Sequence, residues 1–244
     1  MALSSASITA NNNPYNAGIN VVIKKGLSLS SGVSYLKLYR KKDIQSSTYV
    51  LIYKKAITSI HDLDITFNDV TVQSGYNYTY SLDLTTGESD SASIVENGST
   101  SKVGCWFDGL FIGDYSTQYV AQLNCNTSTT RITEVNYVTT LTGRTPYRVS
   151  NSGLNYTTGQ SSGLFLESNS NNELIKSNNI HYVEKVIDYL TDGRGKILKT
   201  SDGGMWYVTI DGEVNRDFDN NYKGLFNISF NWTEIGDVPM LRTV

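Results

Sequence analysis

The residues that could do chemistry are few and scattered. The chain has two histidines, His61 and His181, and two cysteines, Cys105 and Cys125. An imidazole can act as a base near neutral pH and a thiolate can attack a carbonyl, but each needs its partner within hydrogen-bond reach. The histidines fall in different halves, and neither cysteine has a histidine near it in sequence. His181 sits beside the apolar stripe of a helical pattern and reads as a packing histidine. No Gly-x-Ser-x-Gly elbow or phosphate-cradling glycine motif occurs. Glycoside hydrolysis needs two converging carboxylates, which sequence alone leaves open for Asp108, Asp114 or Glu134. Asp217-Phe-Asp219-Asn-Asn221 starts with alternating oxygen ligands, as a calcium loop does. Its sixth position, however, is Tyr222 instead of Gly, and its twelfth is Ile228 instead of an acid. It reads as a solvated hairpin loop. Cys105 and Cys125 lack metal-ligand spacing and read as reduced packing residues. No catalytic, cofactor-binding or metal-binding residue is assigned, no cofactor is expected, and the expectation is a protein that is not an enzyme.

The elements that would position any site are mainly strands. The exception is one helix near 178–191. Ile180, Val183, Ile187 and Leu190 recur at spacings of three, four and three, with Val186 alongside, which places them on one stripe of a 3.6-residue period. Glu184, Lys185 and Asp188 then face water. Ser177, Asn178 or Asn179 can cap the start, and Gly193 can take the left-handed conformation at the end. Beyond Gly193 the period becomes two. Lys196–Lys199 and Met205–Ile210 read as strands joined through Ser201-Asp-Gly-Gly204, a second Asp-Gly pair at 211–212 ends the latter, and Asn215–Lys223 reads as a polar loop. In the last strand, Phe226, Ile228, Phe230 and Trp232 alternate with Leu225, Asn227, Ser229 and Asn231. One face is apolar and the other almost wholly polar.

Composition agrees with a β-rich chain: 18% of residues are charged, with three prolines and seventeen tyrosines in 244 residues. A net charge of −3 gives no electrostatic reason to expect a nucleic-acid partner. Lys24, Lys25, Arg40, Lys41, Lys42, Lys54 and Lys55 are the basic clustering, and they read as a solvated strand edge that discourages stray pairing. No apolar run reaches the roughly eighteen residues of a membrane span, and residues 1–15 lack a secretory pattern. The expectation is no membrane partner, and assembly in the cytoplasm of the producing cell. Six Asn-x-Ser/Thr sequons, among them Asn77, Asn97 and Asn231, are what so Asn- and Ser-rich a chain contains by chance.

Strand-like runs recur in the first half at Ile19–Lys24, Val33–Arg40, Tyr49–Lys54, Ile65–Val70, Tyr76–Leu84 and Ser91–Val95, at the spacing of a small sandwich. Tyr35-Leu-Lys-Leu-Tyr-Arg40, Phe67-Asn-Asp69, Gly75-Tyr-Asn-Tyr-Thr-Tyr80 and Gly87-Glu-Ser89 follow one another in an order that resembles a fibronectin type III module. The resemblance implies that Tyr78 folds back to bond the turn before it and that Tyr80 lies in the same strand. The Trp usual in an early strand is missing, so Val22 or Leu27 would fill that space. Glu96-Asn-Gly-Ser-Thr-Ser101 reads as a polar joint, which divides the chain into 1–98 and 99–244.

The second part carries Cys105-Trp-Phe-Asp-Gly-Leu-Phe-Ile-Gly-Asp114, a strand at Gln118–Asn124, Gly143-Arg-Thr-Pro-Tyr147, Asn155-Tyr-Thr-Thr-Gly-Gln-Ser-Ser-Gly-Leu-Phe-Leu166, and then the helix, the Asp-Gly hairpin and the last strand. This order, across most of 105–238, resembles virion proteins of tailed bacteriophages, specifically distal-tail-like tail or baseplate proteins. It implies a mainly β fold, with the fibronectin/Ig-like β-sandwich followed by a second β-sandwich that packs one α-helix. It also implies a structural role in the virion tail. The partners would be copies of the same chain, in a hexameric ring closed through open sheet edges, together with other tail or baseplate proteins. Tyr-rich faces suit contacts, and open edges suit pairing between subunits. The alternative is a carbohydrate-binding or cell-surface recognition module, which should show solvent-facing platforms such as Trp106 or Trp206.

Overall fold

Alternating apolar and polar residues over short runs, punctuated by Gly, Ser and Asp, give strand after strand. The computed structural model describes residues 6–133, 136–139, 143, 145–149, 154–168, 173–175, 179–218, 225–239 and 242–243. The chain is mainly β, with one α-helix and several sheets, a closed barrel among them. In chain order the elements are β1 (Ala6–Asn13), β2 (Gly18–Lys25), β3 (Tyr35–Lys42), β4 (Val50–Ala56), β5 (Ile65–Asp69), β6 (Tyr76–Thr85), β7 (Ile94–Cys105), β8 (Leu110–Gly113) and β9 (Gln118–Thr133). They continue with β10 (Asn136–Val138), β11 (Tyr147–Val149), β12 (Asn155–Phe165), β13 (Glu167–Ser168), β14 (Leu174–Ile175), α1 (Asn179–Leu190), β15 (Lys196–Thr200), β16 (Met205–Phe218), β17 (Phe226–Gly236) and β18 (Arg242–Thr243). Two compact units emerge. One comprises Met1–Val120, Ile197–Met205 and Val238–Val244; the other comprises Ala121–Lys196 and Trp206–Asp237.

In the first unit, one sheet has the order β1-β2-β5 and the other β18-β4-β3-β6-β7. All pairs are antiparallel except β18 on β4. Ile19, Val21 and Ile23 of β2 and Tyr78, Tyr80, Leu82 and Leu84 of β6 are buried, and Tyr53 of one sheet stacks on Phe67 of the other at 5.1 Å. The interior is therefore filled by Val21 and Ile23, while Val22 is half-buried and Leu27 is 81% exposed. Neither Val22 nor Leu27 takes the place expected of it, because the period-two alternation of β2 turns Val22 away from the inner face. The polar segment 96–101, expected as a joint, lies inside β7 and pairs with β6. Its serines have a further use. Ile8 N–H donates to Ser99 Oγ (2.9 Å) and Ala10 N–H to Ser101 Oγ (3.0 Å), so the free edge of β1 is closed by side chains of β7. Arg40, expected on a solvated edge, is buried, as is Lys37.

In the second unit, β12 lies between β9 and β17, and β17 lies between β12 and β16. The last strand is thus paired on both sides. It therefore presents no open edge of its own for pairing with a neighbouring copy. Asp211-Gly212 does not end β16 either. Gly212 takes a φ of +66°, the register shifts between Asp211 and Val214, and the strand runs on to Phe218 as a bulged strand. Ile228, Phe230 and Trp232 of β17 are buried as the alternation requires, and Leu225, assigned to the polar face, is buried as well. α1 packs on β12 and β17. Val183, Val186 and Leu190 are fully buried and Tyr189 nearly so, whereas Ile187 is half-buried and Ile180 exposed, so the buried stripe is turned toward Val186 and Tyr189 from the one expected. Asn179 is the first helical residue, and Ser177 and Asn178 fall outside the described residues. Leu190→Ala is expected to cost about 2–3 kcal/mol, within the range for large-to-small core changes. Glu184→Ala, on the water face, is expected to be nearly neutral. Parallel thermal melts of the two variants check this, and equal midpoints would contradict the packing.

Candidate functional site

The residues singled out for chemistry do not converge. His181 is exposed on the water side of α1, 3.9 Å from Glu184, so it is not the packing histidine expected; the burial stripe passes through Val183 and Val186 instead. His61 is exposed too, with its Nδ1 2.7 Å from Lys25 Nζ. Cys105 and Cys125 are free thiols; Cys105 is buried, and burial pushes its pKa up to about 11, which keeps it protonated and unreactive near neutral pH. Cys125 is exposed, and its thiol lies 3.0 Å from the Ala121 carbonyl. Asp114 accepts from Ser116 N–H, Thr117 N–H and the Ser116 hydroxyl at 2.6–2.7 Å, so its carboxylate holds its own turn. Asp108 is exposed, and Glu134 lies outside the described residues. Asp217 is in β16 opposite Asn227, so the supposed loop begins inside a strand; Asp219 and Asn221 lie outside the described residues. Among the described residues no three His, Cys, Asp or Glu side chains gather where a metal could be held, and no helix is long and apolar enough to cross a membrane.

What sequence reasoning missed is buried charge. Asp69 accepts from Arg40 Nη1 (2.6 Å), Tyr80 Oη (2.9 Å), and the hydroxyl and N–H of Thr71 (2.7 and 3.0 Å). Burial alone would push this carboxyl up; Arg40, Thr71 and Tyr80 outweigh it and hold the pKa below the usual range. Nearby, Tyr78 Oη accepts the Gln73 N–H at 2.8 Å, in the turn before its own strand. Lys199 Nζ donates to the carbonyls of Ala17, Val70 (2.7 Å) and Val72 (3.2 Å), and it faces the rings of Phe107 and Phe111. Three carbonyls match the three donors of an ammonium.

Burial pulls the Lys199 pKa down to about 7, far below the ordinary 10.5. Between those values the unfolded chain holds a proton that the folded chain has released, so stability rises with pH in that window. Cys105 acts oppositely from about pH 9, where the unfolded thiol ionises and the buried one does not. The expected outcome is a gain of about 2 kcal/mol between pH 7 and 9, lost in Lys199→Met. Urea titrations at both pH values measure it, and an equal gain in the variant would refute it.

Two surface features of the second unit could meet a partner. At one end of β17, Phe218 is 58% exposed and meets Phe226 edge-on at 5.2 Å, with Arg216 over the Phe226 ring. At the other end is an open groove of about 400 Å³, lined by Arg131, Leu154, Asn155, Tyr156, Glu234 and Ile235. Leu154 and Ile235 are exposed there. Arg131 is fixed by Asn155 Oδ1 (2.5 Å), Thr157 Oγ1 (2.9 Å) and Glu234 (3.4 Å), and Glu234 also accepts the Thr157 N–H at 2.7 Å. Of the expected platforms, Trp106 is 59% exposed, with its backbone clamped by both ends of the Asn12 amide (2.8 and 3.1 Å). Trp206 instead leans on Trp232 at 5.1 Å.

No family model matches the chain, and no curated protein matches it. Among solved structures, one similar chain belongs to the virion of a native gene transfer agent particle. It is 14% identical, the match covers 52% of this chain and 92% of that one, and the TM-score is 0.32. A likeness of that size carries no weight on function.

Proposed function

We propose that the chain is a non-enzymatic structural protein of a bacteriophage tail or baseplate. The observation that carries this reading is that four of the pieces quoted for the virion resemblance, the strand at Gln118–Asn124, the Asn155–Leu166 run, the helix and the last strand, are spatial neighbours. Asn155–Phe165 is β12, flanked by β9 and β17, and α1 lies across β12 and β17. A shared order of such degenerate pieces is what a shared core would impose. The first unit serves as a fibronectin type III-like decoration or as a docking surface for a fibre. Seven antiparallel strands in two sheets, with the Tyr78 hydroxyl held at the turn before its own strand, support that assignment.

Copies join around the tail axis through the second unit, as a ring of six if the resemblance holds in full. A ring joins two different surfaces head to tail. With both sides of β17 occupied, those surfaces are side-chain patches. The Phe218–Phe226 pair and the Leu154–Ile235 groove lie about 30 Å apart along β17, at about 3.3 Å per residue, and suit the two roles. Imaging the intact particle tests the reading, with this chain expected as a closed ring around the axis. The second reading, a glycan-recognition module, is favoured by the exposed ring of Trp106. Absence of the protein from the particle, or glycan binding by the monomer that changes Trp106 fluorescence, would replace the first reading with the second.

A further inference from the structure

The inward face of β3 runs Leu36, Leu38, Arg40, Lys42, so the core of the first unit ends in two cations. There a cavity of about 160 Å³ is lined by Arg40, Lys42, Ser47, Thr48, Val50, Thr71, Gln73, Tyr78 and Met205. It contains two positive charges and no carboxylate. Arg40 is balanced by Asp69, whose two oxygens already accept from Arg40, Tyr80 and Thr71. Lys42 has no such counterpart among the described residues. Its ammonium meets the Gln73 amide oxygen at 2.5 Å and the face of Tyr76 at 3.2 Å, neither of which bears charge. Gln73 is itself oriented, because its amide N–H donates to the Gly203 carbonyl at 3.0 Å. Asp43, next in sequence, is turned to Lys102 and Thr79, each at 2.8 Å.

A second observation points the same way. Tyr78 is 2% exposed and its hydroxyl accepts from Gln73, yet no acceptor for the hydroxyl's own proton lies against it among the described residues. Burial pushes its pKa up to about 12, so the proton stays available. An unpartnered donor and an unbalanced ammonium facing one cavity call for an acceptor that bears negative charge.

We propose that this end of the first unit is a binding site for a single carboxylate, held by Lys42 Nζ and Tyr78 Oη with the Ser47 and Thr48 hydroxyls at the rim. The carboxylate is the acidic side chain of a partner protein. Tyr49 and Val50, both exposed beside the rim, give an apolar collar that suits a side chain projecting from a surface better than a free ion. The inference is independent of the virion reading and would stand in any β-rich partner of an acidic surface.

The test is an NMR titration of the full ¹⁵N-labelled chain at constant pH and ionic strength. The probes are sodium acetate, a blocked peptide with one glutamate, and the same peptide with glutamine. Saturable shifts are expected at the amides of Ser47, Thr48, Thr71 and Gln73 with acetate and with the glutamate peptide, and none with the glutamine peptide. The glutamate peptide is expected to bind at least tenfold more tightly than acetate; equal affinities would support the site and identify its occupant as a free anion. Lys42→Gln should weaken both at least tenfold while leaving the spectrum elsewhere unchanged. Thr48→Val, an exposed rim change that does not endanger folding, should weaken them less. Shifts that never saturate, that spread over the surface, or that persist unchanged in Lys42→Gln would overturn the proposal.

Discussion

Asp69→Ala is expected to destabilise the first unit by about 3–5 kcal/mol, because it strands the Arg40 guanidinium in the interior without its anion. The two side chains are 5% and 2% exposed and 2.6 Å apart, so water cannot take over the lost partner without opening the sandwich. Thr71 loses both of its contacts to the carboxylate in the same change, and the Tyr80 hydroxyl loses its acceptor. Tyr80→Phe, which removes one hydrogen bond and leaves the ion pair, should cost only about 1 kcal/mol. The double variant Arg40→Met with Asp69→Ala should recover much of the loss, since it removes the stranded charge altogether. A double-mutant cycle by urea unfolding measures the coupling. A loss below about 1 kcal/mol for Asp69→Ala alone would mean that the charge is not enclosed as described. Acid adds a check on sign. The Asp69 pKa is held below its unfolded value, so its contribution is complete above about pH 4 and fades only as pH falls through the lower folded pKa.

This network also marks the limit of what could be read from residues alone. Strand positions followed from alternation, and five of the six runs foreseen in the first half overlap β2–β6 closely. β1 escaped notice because Ala6-Ser-Ile-Thr-Ala10 has a single large apolar residue, Ile8, between two alanines and so offers little apolar signal. Arg40 looked solvated because a charged residue in a strand usually is, and nothing in the strand pattern of Lys196–Lys199 marked Lys199 as buried. What buries Lys199 is a set of carbonyls more than 120 residues away in sequence, and no local pattern encodes that. Asp211-Gly212 shows a different limit. A positive φ at Gly212 serves a turn and a bulge equally, and only the partner strand decides between them. The same holds for β17, whose two-faced pattern was legible while its neighbours on either side were not. The candidate surfaces were legible only in part. The exposure of Trp106 and the packing of Trp206 on Trp232 depend on contacts that composition does not fix.

Trp232→Ala is expected to cost the second unit about 3–5 kcal/mol, the range for removing a large buried aromatic. The ring is 1% exposed, its indole N–H donates to Ser161 Oγ at 3.0 Å, and it rests on the bare backbone of Gly159. Gly159 is bare by necessity. A Cβ there would lie 2.6 Å from Trp232 Cζ2 and 2.3 Å from the Ser128 carbonyl oxygen, closer than real Cβ atoms approach. Gly159 and Ser161 of the Asn155–Leu166 run are therefore the seat and the hydrogen-bond acceptor of one tryptophan, 71 residues away for Ser161. This gives the glycine a physical cause that does not depend on any resemblance. Gly159→Ala should cost about 1–3 kcal/mol, as overpacking does. In the Trp232→Ala background it should cost less, because the ring is gone, yet not vanish, because the Ser128 carbonyl remains. Urea unfolding of the two single variants and the double variant distinguishes these cases. Strict additivity would show that Gly159 and Trp232 do not share the site, and a loss under about 1 kcal/mol for Trp232→Ala would show that β12 and β17 hold together without it.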